Sequence, residues 1–222
     1  MTLRTQRALS AALDRLAERD ADVASALARF GHPAPRHREP GLETLLRIVM
    51  AQQVSVAAAA TLWRRLETAL TGEVTAERLL EGGTPLLRGI GMSGRKADYA
   101  LGLAGAVAEG RLDIEGLATR DDASVAREIT ALRGFGPWSA EIYLLFSLDR
   151  VDVFPADDLA LQVGFQRLRR LERRPSGREL RAAVEPWSPG RGAGAVLLWH
   201  IYGSATLDPA GGAPLVSGEP LC

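Results

Sequence analysis

The sequence contains very few cysteines and histidines, the residues that most often hold zinc or iron–sulfur clusters. Among its 222 residues there is one cysteine, Cys222, and there are three histidines, His32, His37 and His200, without metal-ligand spacing. A single cysteine excludes an intrachain disulfide, a cysteine zinc site and an iron–sulfur cluster held by four cysteines. We therefore expect no cofactor of these kinds.

Lysine is as rare as cysteine. Lys96 is the one lysine, and the other basic residues are arginines. A reaction that needs a lysine nucleophile must therefore use Lys96. The 27 basic and 27 acidic residues give a formal net charge of zero. The overall charge thus gives no general attraction to nucleic acid, although a local basic face remains possible.

Long apolar runs are missing as well. No stretch is long enough to span a bilayer, and the amphipathic, polar start "MTLRTQRALSAALDRLAERD" is not typical of a signal peptide. These features predict a soluble intracellular protein with no membrane contact.

What the sequence does contain is helical periodicity. Leu9, Leu13 and Leu16 recur at spacings of four and three. The stretch "LETLLRIVMAQQVSVAAAATLWRRLETAL" predicts a helix that breaks near the glutamines, where Ser55 is suited to cap a second helix. Thr75 is suited to cap the next helix, and "EGGTP" predicts a turn. No region is rich in strand signals, so we predict an all-α fold.

Two further patterns complete the outline of the fold. "TRDDASVAREITAL" predicts a helix with an aspartate cap and with Val125, Ile129 and Leu132 on one face. Residues 1–205 are predicted to form one folded region, and the Gly- and Pro-rich residues 206–222 a disordered tail.

A five-residue motif occurs twice between predicted helices. "LRGIG" begins at Leu87 and "LRGFG" at Leu132, which predicts two hairpins of one kind. In the second copy, Gly134 and Gly136 permit backbone angles closed to other residues, and Pro137 suits the first helical position. The first copy, Gly89 to Gly91, lacks the proline and is interpreted as mostly structural.

The second hairpin is suited to bind an anion. We expect free N–H groups of Gly136, Trp138 and Ser139 at the helix N-terminus, where the glycines let a DNA phosphate approach the backbone. An ordinary corner between helices is the alternative interpretation, because glycine-rich turns are common.

Two adjacent aspartates begin a later helix in "DVFPADDLALQ". Aspartate is a favoured N-cap, but only one of Asp157 and Asp158 is needed for capping. The other is available for chemistry. A carboxylate near a phosphate-binding hairpin indicates a reaction at a sugar, where positive charge develops at the anomeric carbon.

Four segments in this order, "AQQVSVAAAATL", "LRGIGMSGRKADYALGLA", "LRGFGPWSAEIYLLF" and "DVFPADDLALQ", resemble the helix–hairpin–helix DNA glycosylases. The chain is most similar to the 3-methyladenine DNA glycosylase II (AlkA) branch, over roughly residues 40–205. The resemblance implies two helical lobes with a cleft. It also implies flipping of a damaged base out of double-stranded DNA and hydrolysis of its N-glycosidic bond in base excision repair.

The resemblance also assigns roles to residues of this chain. Asp158 matches the catalytic aspartate, and Asp157 the capping or supporting position. Trp138 matches a residue that lines the base pocket. The DNA-binding residues are the wedge candidate in the "QQ" loop and the hairpin positions: Gln53, Gly134, Gly136 and Ser139. A monovalent cation is implied at three backbone carbonyls: Thr130, Leu132 and Phe135.

Some family features are absent from this chain. It is too short before Gln52 for the N-terminal α/β lobe of larger members, so it resembles the compact form. A pocket tyrosine of some members is replaced by Ile142, with Tyr143 on another helical face. Relatives that also cleave the strand keep a lysine where Trp138 stands, so no lyase activity is expected. The expected protein is a monomer, bacterial and cytoplasmic, at the nucleoid.

Two other classes of protein remain open. A non-catalytic helix–hairpin–helix module would bind DNA without needing the aspartate, and an unrelated helical scaffold would use its glycines only as corners. Trp187 and Trp199 are further candidates for stacking on a base, although buried tryptophans are more often part of the core.

Overall fold

A computed structural model describes residues 2–204, and every regular element in that range is helical. The eleven α-helices of that range are α1 (Gln6–Ala17), α2 (Ala21–Phe30), α3 (Leu42–Ala51), α4 (Val56–Ala69), α5 (Ala76–Gly89), α6 (Gly94–Ala108), α7 (Asp122–Thr130), α8 (Pro137–Phe146), α9 (Leu159–Arg169), α10 (Gly177–Ala183) and α11 (Arg191–Ser204). Short 3-10 helices cover Gly116–Thr119 and Glu185–Trp187. The all-α prediction is confirmed, whereas the tail predicted at 206–222 lies outside the described residues.

Capping residues set several helix boundaries as the sequence predicts. The Oγ of Ser55 accepts a hydrogen bond from the Ala58 N–H at 3.2 Å, so α4 starts anew after the break at the glutamines. Thr75 caps α5 and Asp121 caps α7 in the same way. Each cap satisfies an N–H that the first helical turn leaves without a partner.

The turn predicted at "EGGTP" is confirmed. The stretch labelled α5 is two helices joined across a kink at Gly83, whose φ of 55° and ψ of −159° are not helical. A prediction for α7 is wrong. Leu132 does not extend the buried face of α7, because that helix ends at Thr130 and buries only Val125 and Ile129.

The described chain divides into two compact units. The first unit comprises residues 2–37 and 144–204, and the second comprises residues 38–143. In the first unit α1 packs against α2 and α11, and α9 packs against α11. In the second unit α6 packs against α3 and α5. Leucines and tryptophans that are at most 2% exposed form the interior of the first unit: Leu9, Leu13, Leu16, Trp187 and Trp199.

Candidate active site and nucleic-acid interface

Asp158 is the N-cap of α9 in the first unit. Its Oδ1 accepts a hydrogen bond from the Leu161 N–H at 3.1 Å, and the residue is 8% exposed. The expectation that Asp158 is free of the capping role is therefore wrong, and of the capping or supporting position expected for Asp157 the capping role is excluded. Asp157 is exposed, and its carboxylate lies against Gly177, where a Cβ would collide with it.

Trp199 of α11 holds the same carboxylate from the core. Its indole Nε1 donates to Oδ1 of Asp158 at 3.2 Å, while the ring is 1% exposed and lies 5.3 Å from the ring of Phe146. The guanidinium of Arg36 lies 5.5 Å from the Trp199 ring centroid. Two donors thus converge on Oδ1, which fixes the orientation of the Asp158 carboxylate. Sequence reasoning missed this role, although a buried indole N–H needs an acceptor.

Trp187 makes a parallel contact elsewhere in the first unit. Its Nε1 donates to Oδ2 of Asp20 at 2.8 Å, and Asp20 also binds Arg169. Burial acts to raise the pKa of Asp20, but the hydrogen bonds from Arg169 and Trp187 hold it below its usual value. Trp187 is therefore a core residue with a satisfied N–H rather than an exposed stacking surface.

The second hairpin lies in the second unit, and one of its two glycines is conformationally special. Gly134 has a φ of +93°, and a Cβ there would collide with the ring of Tyr99. Gly136 is outside the left-handed region, and a Cβ would meet nothing within 4 Å. The expectation of unusual angles is confirmed for Gly134 and wrong for Gly136. The turn is already closed by the bond from the Phe135 N–H to the Leu132 carbonyl at 3.1 Å.

The amides at the start of α8 are only partly available to an anion. The Ser139 N–H donates to the Gly136 carbonyl at 3.0 Å, and Ser139 is 1% exposed. The prediction of a free N–H at Ser139 is therefore wrong, because this N–H bonds to the carbonyl of the residue three positions earlier. The Gly136 N–H has no acceptor within residues 2–204. Pro137 has no backbone N–H to donate. The open surface above Gly136 is the part of the hairpin that a phosphate can approach.

Trp138 is the second residue of α8 and is partly exposed. Ile142, one turn further on, is buried. Tyr143 is also buried, and its hydroxyl accepts a hydrogen bond from the Gly41 N–H at 3.1 Å. Burial raises the pKa of Tyr143 to about 12, so its hydroxyl stays protonated. Of the two aromatic residues, Trp138 and Tyr143, Trp138 is thus the one whose residue has accessible surface.

The turn between α3 and α4 is fastened to the hairpin by a residue that sequence reasoning did not single out. Gln52 Nε2 donates to the Gly134 carbonyl at 2.8 Å. The next residue, Gln53, is exposed and has a φ of 55°, beside Val54, which is 41% exposed. The candidate wedge Gln53 therefore directly follows Gln52, the residue that bonds to the Gly134 carbonyl of the second hairpin.

Lys96 supports the same turn from α6. Its Nζ donates to the Met50 carbonyl at 2.8 Å, one residue before the end of α3. Partial burial lowers the pKa of Lys96. The single lysine thus stabilises the C-terminus of α3, where carbonyls lack helical partners and cations are favoured.

The three carbonyls expected to hold a monovalent cation lie in one short turn. Thr130 is the last residue of α7, so its carbonyl has no partner within that helix. The Leu132 carbonyl accepts the Phe135 N–H and keeps a second lone pair. Carbonyl oxygens suit such a cation.

Within residues 2–204 no group of three or more His, Cys, Asp or Glu side chains is placed to hold a metal. No helix in that range is long and apolar enough to cross a membrane.

The first hairpin does not repeat the geometry of the second. Its left-handed residue is the second glycine, Gly91, with a φ of +104°, whereas Gly89 still belongs to α5. In the second hairpin the left-handed residue is the first glycine, Gly134. The prediction of two hairpins of one kind is therefore wrong at the level of the backbone.

Comparison with known proteins adds to this geometry. A family model described as HhH-GPD superfamily base excision DNA repair protein matches residues 46–189. DNA-3-methyladenine glycosylase 1 of Schizosaccharomyces pombe is 33% identical over 165 residues, which cover 73% of this chain and 72% of the relative. DNA-3-methyladenine glycosylase 2 of Escherichia coli is 28% identical, over 82% of this chain and 66% of the relative.

A solved structure shows the same likeness in three dimensions. The S. pombe 3-methyladenine DNA glycosylase in complex with abasic DNA superposes with a TM-score of 0.81 at 28% identity, covering 87% of this chain and 96% of that chain.

Proposed function

Because the chain belongs to the HhH-GPD superfamily of base excision DNA repair proteins, we propose that it is a monofunctional DNA glycosylase for alkylated purines such as 3-methyladenine. The observation that carries this proposal is Asp158, a nearly buried carboxylate at the N-terminus of α9, oriented by the indole of Trp199. The relatives named as 3-methyladenine glycosylases support the class of substrate.

The chemistry requires little more than that carboxylate. Alkylation at N3 or N7 makes a purine cationic and a good leaving group, so no acid is needed to protonate it. Asp158 stabilises the oxocarbenium-like sugar or orients the attacking water. The N–H groups of Leu161 and Trp199 keep the carboxylate in one orientation, so it does not have to reorganise during bond cleavage.

DNA recognition is assigned to the second unit. Gly134 and Gly136 with the amides at the start of α8 bind a backbone phosphate, and the carbonyls of Thr130, Leu132 and Phe135 hold a monovalent cation beside it. Gln53 enters the gap left by the flipped base. Of the positions named for this role, Ser139 is supported least, because its N–H is already bonded.

Trp138 supplies the selectivity for a cationic base. Its partly exposed, electron-rich face attracts a positively charged purine. Stacking contributes about 1–3 kcal/mol per base, which offsets a flipping cost of a few kcal/mol.

The proposal includes residues 1–205 as one glycosylase domain that acts on double-stranded DNA as a monomer in the bacterial cytoplasm.

Release of free bases from alkylated DNA tests this function. The wild-type protein should release 3-methyladenine, detected by chromatography, and Asp158→Asn should lower the single-turnover rate by about 100- to 10,000-fold. Asparagine can still accept at Oδ1 and cap α9, so the fold is retained. The matched control is Asp121→Asn, the same change at the N-cap of α7. DNA binding without any base release would instead support the non-catalytic module.

A further inference from the structure

The first hairpin borders a surface groove that the proposed active site does not use. The groove has a volume of about 430 Å³ and lies in the second unit between α4 and the end of α5. On α4 its lining residues are spaced at three and four, so they share one helical face: Thr61, Arg64, Arg65 and Thr68. Gly89 and Ile90 of the "LRGIG" segment form the other side.

The charge of this groove is positive. No carboxylate lines it, and neither Arg64 nor Arg65 has an ion-pair partner within the described chain. Glu67, an acidic neighbour on α4, instead lies 3.8 Å from Arg47. Two uncompensated guanidinium groups on one face attract an anion.

One of the two arginines of the groove, Arg65, is held in place by the first hairpin. Arg65 Nη1 donates to the Ile90 carbonyl at 3.2 Å. A Cβ on Gly91 would lie 3.2 Å from the same nitrogen, so the glycine both makes the turn and leaves room for the guanidinium. The hydroxyls of Thr61 and Thr68 donate to helix carbonyls, which leaves the guanidinium N–H groups as the donors for a ligand.

We propose that this groove binds a backbone phosphate of the DNA duplex, away from the lesion. This rests on the proposed function, which supplies the duplex. Arg64 lies eight residues beyond the start of α4, which is about 12 Å along the helix from the turn that carries Gln53.

The test uses undamaged duplex, so its result does not depend on base release. Fluorescence anisotropy gives Kd at several salt concentrations for the wild type and Arg64→Gln. Loss of one phosphate contact should make the slope of log K against log [salt] smaller by about one. Arg7→Gln, the same charge change on an exposed residue of α1, should leave the slope unchanged.

A second measurement locates the phosphate. Uncharged methylphosphonates are placed singly along each strand, and one position should weaken wild-type binding but not binding of Arg64→Gln. The absence of any such position overturns the proposal, as does a wild-type salt slope in Arg64→Gln. Weaker binding of a polyglutamate peptide by Arg64→Gln, with duplex binding unchanged, also overturns it and assigns the groove to an acidic protein.

Discussion

The indole Nε1 of Trp199 donates a hydrogen bond to Oδ1 of Asp158 at 3.2 Å. The two residues lie 41 positions apart, on α11 and at the start of α9. Because the same oxygen also caps α9, the carboxylate is fixed by a core side chain and by the helix backbone. Asp158 therefore combines the structural role of a cap with the proposed catalytic role.

Replacing Trp199 with phenylalanine should impair base release in a folded protein. Phenylalanine retains most of the packing against Phe146 but cannot donate to Asp158. A hydrogen bond to a charged group contributes about 1.5–3 kcal/mol, so the single-turnover rate should fall by about ten- to a hundredfold. Rapid-quench measurement at saturating enzyme isolates this step from DNA binding.

The matched control for that variant is Trp187→Phe. Trp187 is equally buried and also donates its N–H to an aspartate, Asp20. Both variants should lower the midpoint of thermal unfolding, but only Trp199→Phe should slow base release. Equal rates in the two folded variants would reduce Trp199 to a packing residue.

Asp157→Asn should leave both stability and base release nearly unchanged. Asp157 is exposed and does not cap α9, so the change in free energy of unfolding should stay within about 0.5 kcal/mol, as is usual for surface substitutions. Chemical denaturation and single-turnover base release check the two parts. A large loss of chemistry in Asp157→Asn would transfer the catalytic role from Asp158 to its neighbour.

The choice between the two aspartates shows why sequence reasoning reached the site but not its arrangement. The pattern "DDLALQ" predicts an aspartate N-cap, and α9 has one. The sequence does not show which aspartate takes the position, because the choice depends on residues far along the chain. Trp199 supplies the donor for Asp158, and Gly177 leaves room for Asp157.

The hairpin shows the same limit. Helix ends followed local signals, so Ser55, Thr75 and Asp121 were predictable as caps. The left-handed residue of each hairpin was not predictable, because packing decides it: the Tyr99 ring lies against Gly134. Identical letters in "LRGxG" therefore give two different turns.

This difference between the glycines makes a specific prediction for DNA binding. A valine at position 136 faces open space in the protein, so Gly136→Val should fold normally. It should nevertheless weaken binding to damaged and undamaged duplex by about tenfold or more, because the side chain blocks a charged hydrogen bond from the backbone to phosphate. Fluorescence anisotropy with both duplexes measures the effect.

Two comparison variants separate this effect from folding. Gly102→Val changes a glycine with open space on the exposed side of α6 and should bind duplex like the wild type. Gly134→Ala should instead destabilise the fold by about 1–3 kcal/mol, because its Cβ meets the Tyr99 ring. Wild-type affinity in Gly136→Val would make the hairpin an ordinary corner.

The product of the reaction should be an intact strand with an abasic site. A lyase needs an amine that attacks the anomeric carbon to form a Schiff base. Trp138 cannot form an imine. The amine of Lys96 is engaged by the Met50 carbonyl at 2.8 Å, where it stabilises the end of α3. Borohydride should therefore trap no covalent protein–DNA complex, and strand breaks should appear only after treatment with alkali.

Lys96→Ala distinguishes the ways in which this prediction can fail. A trapped complex that disappears in this variant would make Lys96 a Schiff-base residue. A complex that persists would identify the N-terminal amine as the nucleophile, and either result would make the enzyme bifunctional. Burial lowers the pKa of Lys96 and so increases its share of neutral amine at a given pH. Trapping should therefore be repeated at alkaline pH, where a reactive lysine would give its largest signal and where we still expect none.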